Sequence, residues 1–379
     1  MRTPSPSLAL ALACFGAAAC GDNSNSTDGG TSIDSPAGSD AAGSDTAPPA
    51  DSPFDMAPTL TFTTSPVSGL PSGTQFASGV AYGGDPAEVF DVFLPPSATP
   101  TALIIYIHGG GFTAGTRTDV YSTTEVQQAM AAGVAFITLD YRLLEAAGTE
   151  TEGVIKCLRD SQRALQFIRH FATTFNIDKT KIGLTGVSAG AGTSLWLNYH
   201  DDMAVSGGSD AIANESTRPE IVAVEDPQAT YDLLRWAPDV YAPEYSFVTN
   251  DLFLSQPALR TLVVQFYGLS TTDGASGGAL ELALMDTTMT AYRANVDMLA
   301  EMSADDAPTY LFNNVPDLSP TASGFDLLHH PLHDKALITA AATGGNSLEA
   351  DVTAYSITSG LGDGTHDETM TFLLNTLAP

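Results

Sequence analysis

Lys181-Ile182-Gly183-Leu184-Thr185-Gly186-Val187-Ser188-Ala189-Gly190 is the stretch whose reading decides the fold. Lys181 to Thr185 reads as a short strand. The residues after Gly190 read as a helix that runs to about Tyr199. Between them lies a turn with glycines on both sides of one serine. Glycine lets the backbone and its neighbours crowd such a turn, so the serine oxygen projects above the sheet. The helix amino terminus behind it favours negative charge developing at that point. G-x-S-x-G alone recurs by chance; its place between strand and helix gives it meaning.

A second glycine-rich segment, His108-Gly109-Gly110-Gly111-Phe112, follows the apolar run Ala102 to Ile107. Three glycines let backbone N–H groups approach a bound oxygen without interference from side chains. The N–H groups of Gly110, Gly111 and Ala189 form a candidate oxyanion hole. A nucleotide-binding loop needs a Walker-type lysine or a G-x-G-x-x-G pattern, and neither is present. His108 reads as a residue that orients this loop.

Around these motifs the chain alternates apolar runs with amphipathic ones, which predicts an α/β sheet. The expected strands are Glu88 to Leu94, Ala102 to Ile107, Val134 to Leu139, Lys181 to Thr185, Glu220 to Val224, Thr309 to Phe312 and Asp351 to Ile357. The expected helices are Val120 to Ala132, Gly153 to Phe175, the one after Ser188, Leu332 to Ala342 and Glu368 to Leu377. Residues 228–306 break the rhythm and read as a mainly helical cap inserted over the carboxyl edge of the sheet.

The 379-residue chain carries 14 Lys and Arg against 44 Asp and Glu, a net charge of −30. Such a chain has no basic face to displace counterions from phosphates, which excludes nucleic acid as a partner. A hydrophobic content of 43% is that of a globular core, not of a disordered protein. Arg2 followed by the apolar stretch Leu8 to Ala19 reads as a signal peptide, residues 1–19, too short to span a bilayer. The cut falls before Cys20. Two readings share it: an ordinary signal cleavage, or a bacterial lipoprotein with Cys20 lipidated. The second is favoured because residues 20–53, rich in Ser, Asp, Gly and Pro, read as a disordered tether. Residues 54–379 are the expected catalytic domain. It retains one cysteine, Cys157, read as a small core residue within a helix.

The motif pair resembles the α/β-hydrolase superfamily, and within it the carboxylesterases of the hormone-sensitive-lipase type. The residues that carry the resemblance are His108 to Phe112, Asp140-Tyr141-Arg142, Asp178 to Ile182 and Gly186 to Gly190. It implies an α/β-hydrolase fold: a mostly parallel central sheet flanked by helices, with an inserted cap. It implies Ser188 as nucleophile, followed in chain order by an acid and then a histidine. His366, in a loop between the last strand and the last helix, takes the place of the base. Asp326 is favoured as the acid over Asp317. The implied activity is cofactor-free hydrolysis of uncharged carboxylic esters through an acyl-enzyme. Lipase, feruloyl-type esterase and serine peptidase are the alternatives on the same fold. A non-catalytic surface binding protein is the alternative from another class. The location implied is outside the cytoplasm, anchored to a cell envelope through Cys20 or secreted. His329-His330-Pro331-Leu332-His333-Asp334 has the spacing of metal ligands, but no second group supports it, so it reads as loop packing. Asp140 with Arg142, and Asp160 with Arg163, read as structural ion pairs.

Overall fold

Ala102 to Ile107 is apolar without a break because the strand it forms is covered on both faces. In the computed structural model, which describes residues 56–361 and 367–379, this strand is β4 (Thr101–Ile107). Leu103, Ile105 and Ile107 join one buried cluster with side chains of α2 (Val154–His170) and α3 (Ala189–Tyr199). Ala102, Ile104 and Tyr106 join another with α1 (Glu125–Ala131) and α11 (Asp367–Leu377), the last helix of the chain. The alternation has the period of two that a strand imposes. The expected signal peptide, the tether with Cys20, and His366 all lie outside the described residues.

Nine strands form one sheet in the order β1-β2-β3-β5-β4-β6-β7-β8-β9. They are β1 (Phe62–Thr63), β2 (Gln75–Ala81), β3 (Val89–Leu94), β4, β5 (Ala135–Leu139), β6 (Ile177–Val187), β7 (Ile221–Glu225), β8 (Thr309–Asn313) and β9 (Leu348–Val352). From β5 through β9 the neighbours are parallel, while β1, β2 and β3 add an antiparallel edge. This is the mostly parallel, helix-flanked sheet that the motifs imply.

The departures from the sequence reading have local causes. β6 begins at Ile177, four residues before the expected start. Its first part, Asp178 to Lys181, is solvent-facing, and the pairing with β4 shifts register there. Strand β2 escapes a period-of-two reading because its register shifts between Ala77 and Val80. Asp91 fills that irregularity by accepting from the Ser78 hydroxyl at 2.7 Å and the Gly79 N–H at 2.6 Å. The last strand runs from Leu348 to Val352 rather than from Asp351 to Ile357. The chain folds back after it, and Ile357 returns to pair with Val352. The expected helix Val120 to Ala132 is split, a single tight turn at Asp119–Ser122 preceding α1.

The expected ion pairs exchange partners. Arg142 binds Asp160, with Nη2 to Oδ1 at 2.7 Å, and Arg163 binds Asp210 at 2.6 Å. Asp140 pairs with Arg117 instead of Arg142.

Between β7 and β8 the chain is mainly helical: α4 (Leu233–Arg235), a π-helical segment Trp236–Tyr241, α5 (Asn250–Ser255), α6 (Pro257–Phe266), α7 (Gly277–Leu284), α8 (Thr287–Asn295) and α9 (Met298–Glu301). A loop that packs on this region is pinned by Glu150. Its buried carboxylate accepts from Lys156 Nζ at 2.6 Å and from the N–H groups of Glu145, Thr151, Glu152 and Gly153 at 2.8–3.0 Å. Lys156 is itself buried. Removing one partner of a buried pair strands the other charge. Glu150→Ala is therefore expected to cost about 3–5 kcal/mol. A lower urea midpoint at unchanged slope would report it, and a cost under about 1 kcal/mol would mean that water replaces the lost partners.

Candidate active site

Ser188 sits where β6 meets α3, with φ 55° and ψ −118°. A non-glycine residue there is strained and persists only where its surroundings enforce it. The enforcement is visible. The Ser188 N–H donates to the Glu225 carbonyl at the end of β7, at 3.0 Å, and its carbonyl accepts from Gly192 N–H at 3.0 Å. Gly186 and Gly190 bring the elbow against β4: a Cβ at Gly186 would lie 2.5 Å from the Ile107 carbonyl oxygen, and one at Gly190 would overlap it. The sequence reading that glycines permit a crowded turn holds at these two positions.

The loop after β4 carries three consecutive positive φ angles: Gly110 at 103°, Gly111 at 60° and Phe112 at 61°. Phe112 is held there by aromatic neighbours, with ring centroids 5.1 Å from Tyr231, 5.8 Å from Phe266 and 5.9 Å from Tyr141. The Gly110 carbonyl accepts from Thr113 and Ala114 N–H, both at 3.1 Å, which tightens the turn. His108 is buried, stacked on Tyr141 with centroids 4.3 Å apart, and its Nδ1 bonds the Gly109 carbonyl at 2.7 Å. Burial pushes its pKa down. It braces the loop through Gly109 and Tyr141.

Gly111, Ser188 and Ala189 line one cavity of about 20 Å³, the size of a single water-sized group. Its other walls include Phe112, Tyr231, Trp236, Leu262, Phe266 and Leu328. Leu262 and Phe266 come from α6, so the segment between β7 and β8 closes this space. A larger cavity of about 430 Å³ lies away from Ser188, beside Val240, Met302, Leu332 and Ala336.

The imidazole on Ser188 belongs to His329. Its Nε2 lies 2.8 Å from Ser188 Oγ, and its Nδ1 lies 2.9 Å from Asp326 Oδ2. An ionised carboxylate only accepts, so Nδ1 carries the proton and Nε2 presents its lone pair to the hydroxyl. Asp326 Oδ1 in turn accepts from the N–H groups of Leu328 at 2.9 Å and His329 at 3.2 Å. Burial opposes the charge on Asp326, yet these bonds, the one from His329 foremost, hold it below the usual carboxylate range. Burial would lower His329 as well, but the Asp326 hydrogen bond and charge, with the charge of Asp226, hold it above the ordinary value of 6.5.

Of the expected site residues, the structure brings together Ser188, Ala189, Gly111 and Asp326. Asp317 lies apart from Ser188 and His329. It faces His330 Nε2 at 3.3 Å and Tyr245 OH at 3.3 Å. His329 stood among the histidines after Ser188, but chain order directed attention to His366. The signal that would have raised it is its spacing, three residues after Asp326, close enough for one turn of chain to join acid and imidazole.

The remaining histidines of the cluster serve the backbone. His330 Nε2 donates to the Leu318 carbonyl at 3.0 Å, and its Nδ1 accepts from Leu332 N–H at 3.2 Å. His333 Nε2 donates to the Leu327 carbonyl at 3.1 Å, and its Nδ1 accepts from Ala229 N–H at 3.2 Å. Burial pushes His333 down to about 3, in keeping with a neutral ring that uses both nitrogens. Among the described residues, no group of three or more His, Cys, Asp or Glu side chains is placed to hold a metal ion.

Comparison with known proteins agrees with the fold. The BD-FAE family model matches residues 90–264. A truncated carbohydrate esterase from gut microbiota superposes with a TM-score of 0.54 at 16% identity, covering 80% of this chain and 96% of its own. The chain has the α/β-hydrolase fold. In sequence it is 28% identical to a chlorogenic acid esterase of Aspergillus niger over 132 residues, 34% of this chain and 25% of that protein. It is 23% identical to gut esterase 1 of Caenorhabditis elegans over 253 residues, 55% of this chain and 44% of that protein. The chain thus spans between a quarter and a half of the length of these curated relatives.

Proposed function

We propose that the protein is a serine esterase that hydrolyses uncharged carboxylic esters with short acyl groups. The observation that carries this is the connected line Ser188 Oγ–His329 Nε2, His329 Nδ1–Asp326 Oδ2, with bonds of 2.8 and 2.9 Å. His329 takes the Ser188 proton as the oxygen attacks the ester carbonyl, and Asp326 balances the imidazolium that results. The oxyanion meets the N–H groups of Gly110, Gly111 and Ala189; that of Ala189 begins α3 and so has no partner within the helix. His329 then protonates the departing alcohol. Water, deprotonated by His329, releases the acyl group and restores Ser188. The relatives' descriptions as esterases support the reaction class.

The small, aromatic-walled cavity beside Ser188 supports a short acyl chain. A net charge of −30 argues against anionic substrates at low salt. We also propose that the protein is exported and anchored through Cys20, in keeping with the apolar leader and the tether that follows it. A second reading of the base is favoured by chain order: β9 ends at Val352 and α11 begins at Asp367, immediately after His366.

Only the neutral imidazole accepts the proton from Ser188. Because Asp326 holds the His329 pKa above 6.5, kcat/KM for p-nitrophenyl acetate is expected to climb with pH through a midpoint above 6.5 and then level off. A profile already flat at pH 6.5, or no hydrolysis of acetate and butyrate esters at any pH, would overturn the assignment.

A further inference from the structure

Asp326 and His329 stand on one short turn, Asp326-Leu327-Leu328-His329, and every carbonyl that follows Asp326 in it accepts from a buried side chain. Tyr241 OH donates to the Leu327 carbonyl at 2.5 Å, and His333 Nε2 donates to the same oxygen at 3.1 Å. Gln228 Nε2 donates to the Leu328 carbonyl at 2.9 Å. Asn313 Nδ2 donates to the His329 carbonyl at 3.0 Å and to Asp334 Oδ2 at 2.7 Å. Tyr241, Asn313, His333 and Asp334 are fully buried, and Gln228 is 5% exposed.

These donors come from different parts of the chain. Gln228 follows β7, Tyr241 ends the π-helical segment, Asn313 ends β8, and His333 lies in the first turn of α10 (Leu332–Gly344), beside Asp334, which accepts from Asn313. Loop carbonyls are ordinarily left to water. Here three consecutive ones are withdrawn from it and given side-chain donors, on the turn that carries acid and base.

We propose that Gln228 and Tyr241 are positioning residues: they fix the Asp326–His329 turn and so aim the His329 imidazole at Ser188, making the base depend on the segment between β7 and β8. This rests on the reading of His329 as the base. An imidazole on an unfixed turn would spend less time aligned with both Ser188 Oγ and Asp326 Oδ2, and misplacement on the scale of 1 Å costs about 10²-fold in rate. Tyr241 is the cleaner probe. Its ring packs on Phe253, Phe325, His330 and His333, whereas Gln228 also lines the cavity beside Ser188.

The test is steady-state kinetics on p-nitrophenyl acetate for the full chain, with Tyr241→Phe and Gln228→Met singly and together. Both keep size and remove the donor. The expected result is a fall in kcat of about 10-fold for Tyr241→Phe and up to about 100-fold for the double variant, with KM within about twofold. The midpoint of the kcat/KM profile should also move down toward 6.5, as the Asp326–His329 bond loosens. A merely structural role would lower the unfolding midpoint and move neither the kcat/KM ratio of effects nor the profile. Wild-type kcat and profile in the folded double variant would overturn the proposal. His329→Ala, assayed alongside, separates the two levels. If His329→Ala is inactive and the double variant is unimpaired, only the positioning role falls. If His329→Ala keeps its activity, the assignment of the base falls, and this proposal with it.

Discussion

Replacing Ser188 with alanine is expected to lower kcat for p-nitrophenyl acetate by about 10⁵-fold or more, equivalent to about 7 kcal/mol of barrier. The substitution removes the attacking oxygen and leaves His329 with nothing to deprotonate. It should spare the fold. The Ser188 side chain makes no capping hydrogen bond to α3, and the strained φ of 55° is enforced by backbone bonds that alanine keeps. The unfolding midpoint should therefore stay close to that of the unaltered protein. A small residual rate above that in water is expected from the proposed oxyanion donors, the N–H groups of Gly110, Gly111 and Ala189, which the substitution leaves in place. A fluorophosphonate probe should label the unaltered protein and fail to label Ser188→Ala. Undiminished hydrolysis by Ser188→Ala would sink the acyl-enzyme scheme. Absence of labelling in the unaltered protein would favour a non-catalytic binding role on this fold.

Substitution of His329 with alanine is expected to cost about 10⁴–10⁶ in kcat, since nucleophile and base act as one unit. Asp326→Asn should cost about 10⁴, because an amide that donates to Nδ1 stabilises the wrong tautomer and turns the Nε2 proton toward Ser188. Asp317→Asn should change kcat little, as Asp317 contacts His330 and Tyr245 rather than the imidazole on the serine. His366→Ala is the comparison that decides the base. With His329 as base, His366→Ala keeps most of its activity. A loss at His366 as deep as that expected at His329 would transfer the role to His366 and reduce His329 to a neighbour of Ser188.

Ser188 was legible in the sequence because its motif is local. Gly186 and Gly190 are needed wherever a strand turns sharply into a helix beneath another strand's carbonyls, and the pattern fits within five residues. The loop after β4 was legible for the same reason: its glycines answer a backbone requirement, φ of 103° at Gly110 and 60° at Gly111. The strands covered on both faces, β4 and β5, were read nearly to the residue from unbroken apolar runs. Less was legible where burial is uneven. The first part of β6 faces solvent, and β2 changes register at Ser78 and Gly79, so neither shows the periodicity of its structure.

The acid and the imidazole mark the other limit. Asp326 was distinguished from Asp317 by its surroundings in sequence, yet nothing in the sequence measures which carboxylate reaches which ring. Seven histidines offer the same chemistry to a reader of residues. In the folded chain His108, His200, His330 and His333 each bond a backbone group, and His329 alone among the described histidines bonds Ser188.

By itself, then, the sequence determined the class of sheet and the sharp glycine-flanked turn that carries Ser188, because each rests on short-range backbone geometry or on the periodicity of burial. Only the tertiary structure decided which histidine meets Ser188, which aspartate meets that histidine, and which buried side chains hold their turn. Those pairings join residues up to 141 positions apart, and such distances are set by the packing of β7, β8 and the helices between them, not by any local pattern.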